Sequence, residues 1–240
     1  IAPESDIAFF NMLGYKFQHS DYAGRDVFEA IGIGIDFKDG DLALRGNFAT
    51  LDNEGKIIDR RAGRKIERED VEEISKEIEK EIKFSNPNAS VVVAPTVGHR
   101  VTVRLRGGKP LSSEISNTDP AYGRIDGMGI AKAVSDFMKI EKCIPLEQTE
   151  NAISAANLVN EFTEQSLEIM KKSDVNKRRS QKNKKLLNSL LLRDAGNKYP
   201  NVKPINDLHS MNFSCIVDMP VEVGISNILK MRAYNAGGLT

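Results

Sequence analysis

The chain has 240 residues and a mass of 26.6 kDa, with 40% apolar residues, 28% charged residues and a formal net charge of zero. This is the composition of a folded protein with ample core, not of a disordered one. Electroneutrality excludes a surface built as a whole for nucleic acid or anionic membrane, so any anion site must be local. No apolar run approaches the ~20 residues that span a bilayer, and no signal peptide is read at the start. The two cysteines, Cys143 and Cys215, lack metal-ligand spacing and read as apolar residues in a reducing compartment, the cytoplasm.

In chain order, Ile7 to Leu13 predicts a short apolar helix or turn, followed by a polar loop with His19 and Arg25. Val27 to Ile35 predicts a short helix ending at Gly32 or Gly34. Asp41 to Leu51 and Lys56 to Asp59 flank Asp52-Asn53-Glu54-Gly55 and predict a hairpin. Residues 69–83 repeat Val71, Ile74, Ile78 and Ile82 at helical spacing behind an acidic first turn. Ser90 to Ala94 and Val101 to Leu105 read as strands, and residues 109–127 as a long irregular loop. Asp126 to Met138 and Glu147 to Lys172 read as helices, the second with Thr149 as N-cap. Residues 171–185 carry eight Lys or Arg and one acid, without aromatics for base stacking, and read as a flexible solvated connector. Leu186 to Leu192, Ser214 to Val217 and Met231 to Tyr234 read as strands, and Val221 to Leu229 as a helix. Alternating elements without repeats predict an α/β or α+β domain, a central mixed β-sheet flanked by helices.

Asp59-Arg60-Arg61-Ala62-Gly63-Arg64 brings three guanidinium groups together at a strand end. Arginine is planar, permanently charged and suited to bidentate contact with phosphate or carboxylate. Taken alone, the hexapeptide is equally a solvated turn. His99-Arg100 adds a basic pair in a loop between strands, with His99 readable as structural or as a donor to phosphate. Asn117-Thr118-Asp119-Pro120 is a turn signature in which Asp119 could orient an arginine, and Arg193 again closes a strand before glycine. Several strand ends thus each deliver an arginine beside Gly, Asp or His, which suggests a pocket for a small polyanion. No Walker loop, zinc-protease motif or nucleophile elbow occurs.

Gly24 to Ala30, Asn47-Phe48-Ala49-Thr50, Asp59 to Arg64, Gly98-His99-Arg100, Ser116 to Pro120 and Arg193-Asp194-Ala195-Gly196 occur in this order. Taken together they resemble the archaeal-type cofactor-independent phosphoglycerate mutases of the alkaline phosphatase superfamily, along nearly the whole chain. The resemblance implies a phosphatase-like core with two divalent metals, Mn or Mg, and a second domain inserted into it. It implies Ser5 as nucleophile and metal ligand in a phosphoserine mechanism interconverting 3-phosphoglycerate and 2-phosphoglycerate. Arg60, Arg61, Arg64, His99 and Arg100 would then grip the substrate, with Asn47, Asp59, Asp119, Arg25 and Arg193 in support. The family has Gly before its serine and Thr-Ala-His after Ser-Asp, where this chain has Glu4 and Ile7-Ala8-Phe9. Asp26-Val27 stands where the family has Gly-Pro.

The resemblance further implies that residues 1–20 carry the nucleophile loop, 21–230 the inserted substrate-binding domain and 231–240 the return to the core. The chain starts Ile1-Ala2-Pro3 and stops at Gly237-Gly238-Leu239-Thr240, which reads as a piece of a longer protein whose remaining metal ligands lie elsewhere. On that reading the chain alone is inactive, its partners are a small phosphoglycerate and the missing core domain, and a homo-oligomer is open. Alternatives are another phosphomutase or hydrolase of the same superfamily, and a nucleic-acid-binding module using 171–185.

Overall fold

The computed structural model describes residues 5–16, 24–125, 128–132 and 138–235. The elements in order are α1 (Ser5–Met12), α2 (Arg25–Gly32), β1 (Leu42–Leu51), β2 (Ile57–Asp59), α3 (Arg68–Glu81), β3 (Ser90–Pro95), β4 (Arg100–Arg106), β5 (Tyr122–Ile125) and β6 (Met128–Ala131). There follow α4 (Glu150–Lys172), α5 (Asp174–Gln181), β7 (Ser189–Gly196), α6 (Ile205–His209), β8 (Ser214–Val217), α7 (Pro220–Ile228) and β9 (Arg232–Asn235).

β1 is the spine of a five-stranded sheet, pairing with β4 on one side and β7 on the other, while β3 extends from β4 and β2 folds back on the end of β1. Every pairing in this sheet is antiparallel; the parallel pair is β8–β9, outside it. The expected α/β architecture therefore holds, but the strand directions are mixed between sheets and not within the central one.

Side chains on a strand alternate between faces. Leu42, Leu44 and Phe48 of β1, Val101, Val103 and Leu105 of β4, and Leu190 and Leu192 of β7 share one face. They are buried with Val71, Ile74 and Ile78 of α3 and Val159 and Phe162 of α4 in one apolar cluster. The helical period of residues 71–78 is what this face selects, and Thr149 caps α4 by accepting from the Ala152 amide at 3.2 Å.

The opposite face is polar. The register sets Asn47 opposite Arg100 and Arg45 opposite both Thr102 and Arg193, so all five point the same way. Helix α2 covers part of that face, burying Val27 and Ala30 against Ala43.

A second apolar cluster joins α1, α2, α6 and α7 through Phe10, Phe28, Ile205 and Ile225. Here α2 and α7 cross at backbone contact. A Cβ at Gly32 would lie 1.8 Å from the Pro220 carbonyl oxygen, and one at Gly224 would lie 1.8 Å from that of Phe28. Only glycine permits so close a crossing.

Three expectations need correction. Among the described residues of 126–138, Met128–Ala131 is a strand pairing antiparallel with β5, not helix; 126–127 and 133–137 lie outside the described residues. The same hairpin interrupts the loop expected over 109–127. Residues 171–185 are not a flexible connector but the end of α4, helix α5 and a turn-containing segment at 182–185, and Arg179 of α5 is buried against Glu67 at 2.9 Å and Asp70 at 2.7 Å. His19 and residues 236–240 lie outside the described residues. No helix among the described residues is long and apolar enough to cross a membrane.

Candidate anion site on the polar face

The Arg cluster turns on Asp59, whose carboxylate accepts from the backbone amides of Arg61 at 2.9 Å and Gly63 at 3.0 Å. This folds Ala62, Gly63 and Arg64 into three successive positive φ values, 43°, 85° and 65°. Left-handed backbone at two non-glycine positions carries strain, and such strain collects at functional sites. The Arg64 carbonyl lies against Gly98, so a Cβ there would come within 3.0 Å of it; the loops around 60–64 and 96–99 thus touch.

The three arginines diverge in role. Arg60 gives one guanidinium nitrogen to both carboxylate oxygens of Asp119, at 2.8 and 2.6 Å. Arg64 points to solvent. Arg61 faces inward far enough for its charge to act on His99.

Asp119 is fully buried because its segment docks on β7: the Thr118 and Asp119 amides both donate to the Leu192 carbonyl, and Asn117 Oδ1 accepts from the Asp194 amide. Arg193 reaches the same Asp119 carboxylate at 3.3 Å and Asp194 at 3.4 Å. The ring of Tyr122 lies under both guanidinium groups, 5.3 Å from Arg60 and 4.7 Å from Arg193. With its amide oriented to satisfy its neighbours, Asn47 accepts from Arg193 Nη1 at 3.1 Å. These residues form a fixed wall.

Beside that wall the charges are less committed. Arg100 has no ion pair among the described residues, and its pKa is lowered by burial first and then by the charge of Arg45. Arg193 is depressed by the same two causes in the same order. Burial together with Arg100, Arg61, Arg193 and Arg45 pushes the His99 imidazole down to about 4, so it is neutral near pH 7.

On α2, Arg25 Nε donates to Glu29 at 3.3 Å, and Asp26 accepts from the Thr102 hydroxyl at 3.2 Å. Burial, then the neighbouring Glu29 charge, raises the Asp26 carboxyl well above the usual range. Asp26 therefore adds little negative charge to balance the arginines.

The structure thus brings Asn47, Arg61, His99, Arg100, Arg193 and Arg25 to one polar face, gives Asp59 and Asp119 structural tasks, and ties Arg60 to Asp119. Ser5 opens α1, which packs through Phe10 on Phe28 of α2, 5.6 Å between ring centres. Arg45, Glu29 and Tyr122 were missed by sequence reasoning. The first could have been found by strand alternation, since Arg45 lies two residues before Asn47 on β1. Among the described residues there is no group of three or more His, Cys, Asp or Glu able to hold a metal. What the arrangement can do is bind a compact anion with several guanidinium groups and one amide.

Comparison with known proteins agrees with this chemistry. The family model of 2,3-bisphosphoglycerate-independent phosphoglycerate mutase matches residues 1–176. The enzyme of that name from Aeropyrum pernix is 38% identical over 234 residues, covering 95% of this chain and 54% of its own length. That from Pyrobaculum aerophilum is 36% identical over 242 residues, covering 100% of this chain and 54% of its own. The solved cofactor-independent phosphoglycerate mutase from Thermoplasma acidophilum superposes with a TM-score of 0.68 at 30% identity, over 97% of this chain and 57% of that one. The chain spans about half the length of the curated relatives it matches. It belongs to the family of 2,3-bisphosphoglycerate-independent phosphoglycerate mutases.

Proposed function

We propose that this chain supplies the substrate grip of a phosphoglycerate mutase that interconverts 3-phosphoglycerate and 2-phosphoglycerate in glycolysis. The observation that carries this reading is the excess of guanidinium charge on one sheet face, where the charge of Arg45 lowers the pKa values of Arg100 and Arg193 and all three lower that of His99. A phosphoglycerate brings a phosphate and a carboxylate, and both suit such a face.

Residues 21–230 are read as the inserted domain, with 1–20 and 231–240 joining it to a phosphatase-like core. Ser5 is the proposed nucleophile, carrying the phosphoryl group while the glycerate turns and presents its other hydroxyl. Two divalent metals would activate that serine and neutralise the moving charge in the full enzyme. The described residues do not form a cage for them, so the tasks assigned to this chain are binding and orientation. Gripping glycerate during its turn is the step these arginines serve, since release of the intermediate would end in hydrolysis. Asn47 and neutral His99 would supply hydrogen bonds that read the hydroxyls without adding charge.

The test is calorimetric titration of the chain with 3-phosphoglycerate, glycerate and glucose 6-phosphate, with mutase activity assayed in parallel. Saturable binding of 3-phosphoglycerate in preference to the other two, without turnover, is expected. Equal or stronger binding of the sugar phosphate points to another phosphometabolite, and no binding of any anion removes the reading.

A further inference from the structure

Arg45, like Arg100, lacks a firm partner on this face, and of the two it is the one set beside a carboxylate it does not close on. It lies at the middle of the central strand, with a side chain 11% exposed. Its Nε is buried and makes no hydrogen bond. The carboxylate nearest it is Glu29 of α2, at 4.0 Å from Nη2, the outer limit of an ion pair. That carboxylate is shared with Arg25, which takes it at 3.3 Å. Arg60, by contrast, is seated on Asp119 at 2.6 Å.

A buried guanidinium without good acceptors is unfavourable, and more so beside like charges. Among the charges acting on Arg100 and on Arg193, that of Arg45 weighs most in each case. The polar face is therefore organised around a cation whose acceptors are only partly supplied by the protein. Glu29, 5% exposed on its side chain, is placed to hold that cation without saturating it.

We propose that Arg45 is a ligand-binding residue of this face, and that Glu29 is a positioning residue which holds Arg45 in place until an incoming phosphate or carboxylate displaces it. This rests on the phosphoglycerate reading above for the identity of the anion. Glu29 thereby sets affinity in a particular direction. It competes with the ligand for Arg45, so removing its charge while keeping its shape strengthens binding. A Gln at that position still accepts from Arg25, which keeps α2 in register.

The experiment is calorimetric titration of 3-phosphoglycerate into the 240-residue chain and its variants Arg45→Met, Arg45→Lys and Glu29→Gln, each checked for folding by circular dichroism. Loss of a charge-assisted hydrogen bond predicts that Arg45→Met weakens binding by roughly tenfold or more, with Arg45→Lys recovering part of it. Glu29→Gln is expected to bind several-fold more tightly than the parent. A scaffold role for Glu29 predicts the opposite sign, because losing a structural ion pair loosens the site. If the parent chain binds and Arg45→Lys and Arg45→Met bind equally well, or Glu29→Gln binds more weakly, the inference is overturned while the functional reading stands. If Arg45→Met does not fold, Arg45→Lys and Glu29→Gln still decide the matter. If the parent chain binds no phosphoglycerate, both fail together.

Discussion

Asp119 accepts from Arg60 through both carboxylate oxygens, at 2.8 and 2.6 Å, and does so with no exposure to solvent. The arginine cluster that the sequence offers as a substrate grip is thus divided, one member being spent on the wall of the site. Asp119→Asn would leave Arg60 and Arg193 without their shared counter-charge. The loss expected for breaking such a buried pair is about 3–5 kcal/mol. Urea unfolding measures it, and a change below ~1 kcal/mol would show that the carboxylate is not structural.

His99 should make stability depend on pH in one direction. Its folded pKa of about 4 lies below the ordinary 6.5, so the unfolded chain binds the proton first. The stability this group contributes is complete above pH 6.5 and is lost as pH falls towards 4. His99→Gln should flatten that part of the stability profile. Nuclear magnetic resonance titration of the imidazole should place its midpoint well below 6, and added phosphate should raise it by screening the arginines.

The crossing of α2 and α7 should tolerate no side chain. Gly224→Ala puts a methyl group 1.8 Å from the Phe28 carbonyl oxygen, where backbone must move. The cost should exceed the ~1–3 kcal/mol typical of overpacking. Gly34→Ala meets nothing within 4 Å but has a φ of 80°, so it should cost only the ~1–2 kcal/mol of left-handed backbone. Thermal unfolding of the two variants compares them directly.

Arg179 should matter to folding and its neighbours should not. Arg179→Ala removes the buried guanidinium that joins Glu67, Asp70 and the Lys185 carbonyl, leaving Glu67 on Lys184 and Asp70 beside Arg178, for a loss of about 1.5–3 kcal/mol. Lys182→Ala, at the exposed end of α5, should stay within ~0.5 kcal/mol. Equal effects in denaturant unfolding would return residues 171–185 to the status of a solvated charge run.

Much of the scaffold was legible because its signals are local. The period of Val71, Ile74 and Ile78, the Thr149 cap and the turn at residues 52–55 each declare themselves within a few residues. The basic block misled because Glu67 and Asp70 lie more than a hundred positions earlier in the chain. Strands of four residues, such as β5 and β6, are too short for a period to separate them from helix. At the site, the presence of arginines was readable but their commitments were not. Nothing around residue 60 announces that Asp119 will claim Arg60, and Arg45 stands out only once β1 is aligned with β4 and β7.

The most direct measurement is amide and guanidinium chemical-shift mapping of the labelled chain during titration with 3-phosphoglycerate. The account predicts saturable shifts centred on Arg45, Asn47, His99, Arg100 and Arg193, with residues 171–185 silent. Shifts confined to the basic stretch 171–185, or no shifts on the polar face at saturating ligand, would contradict it.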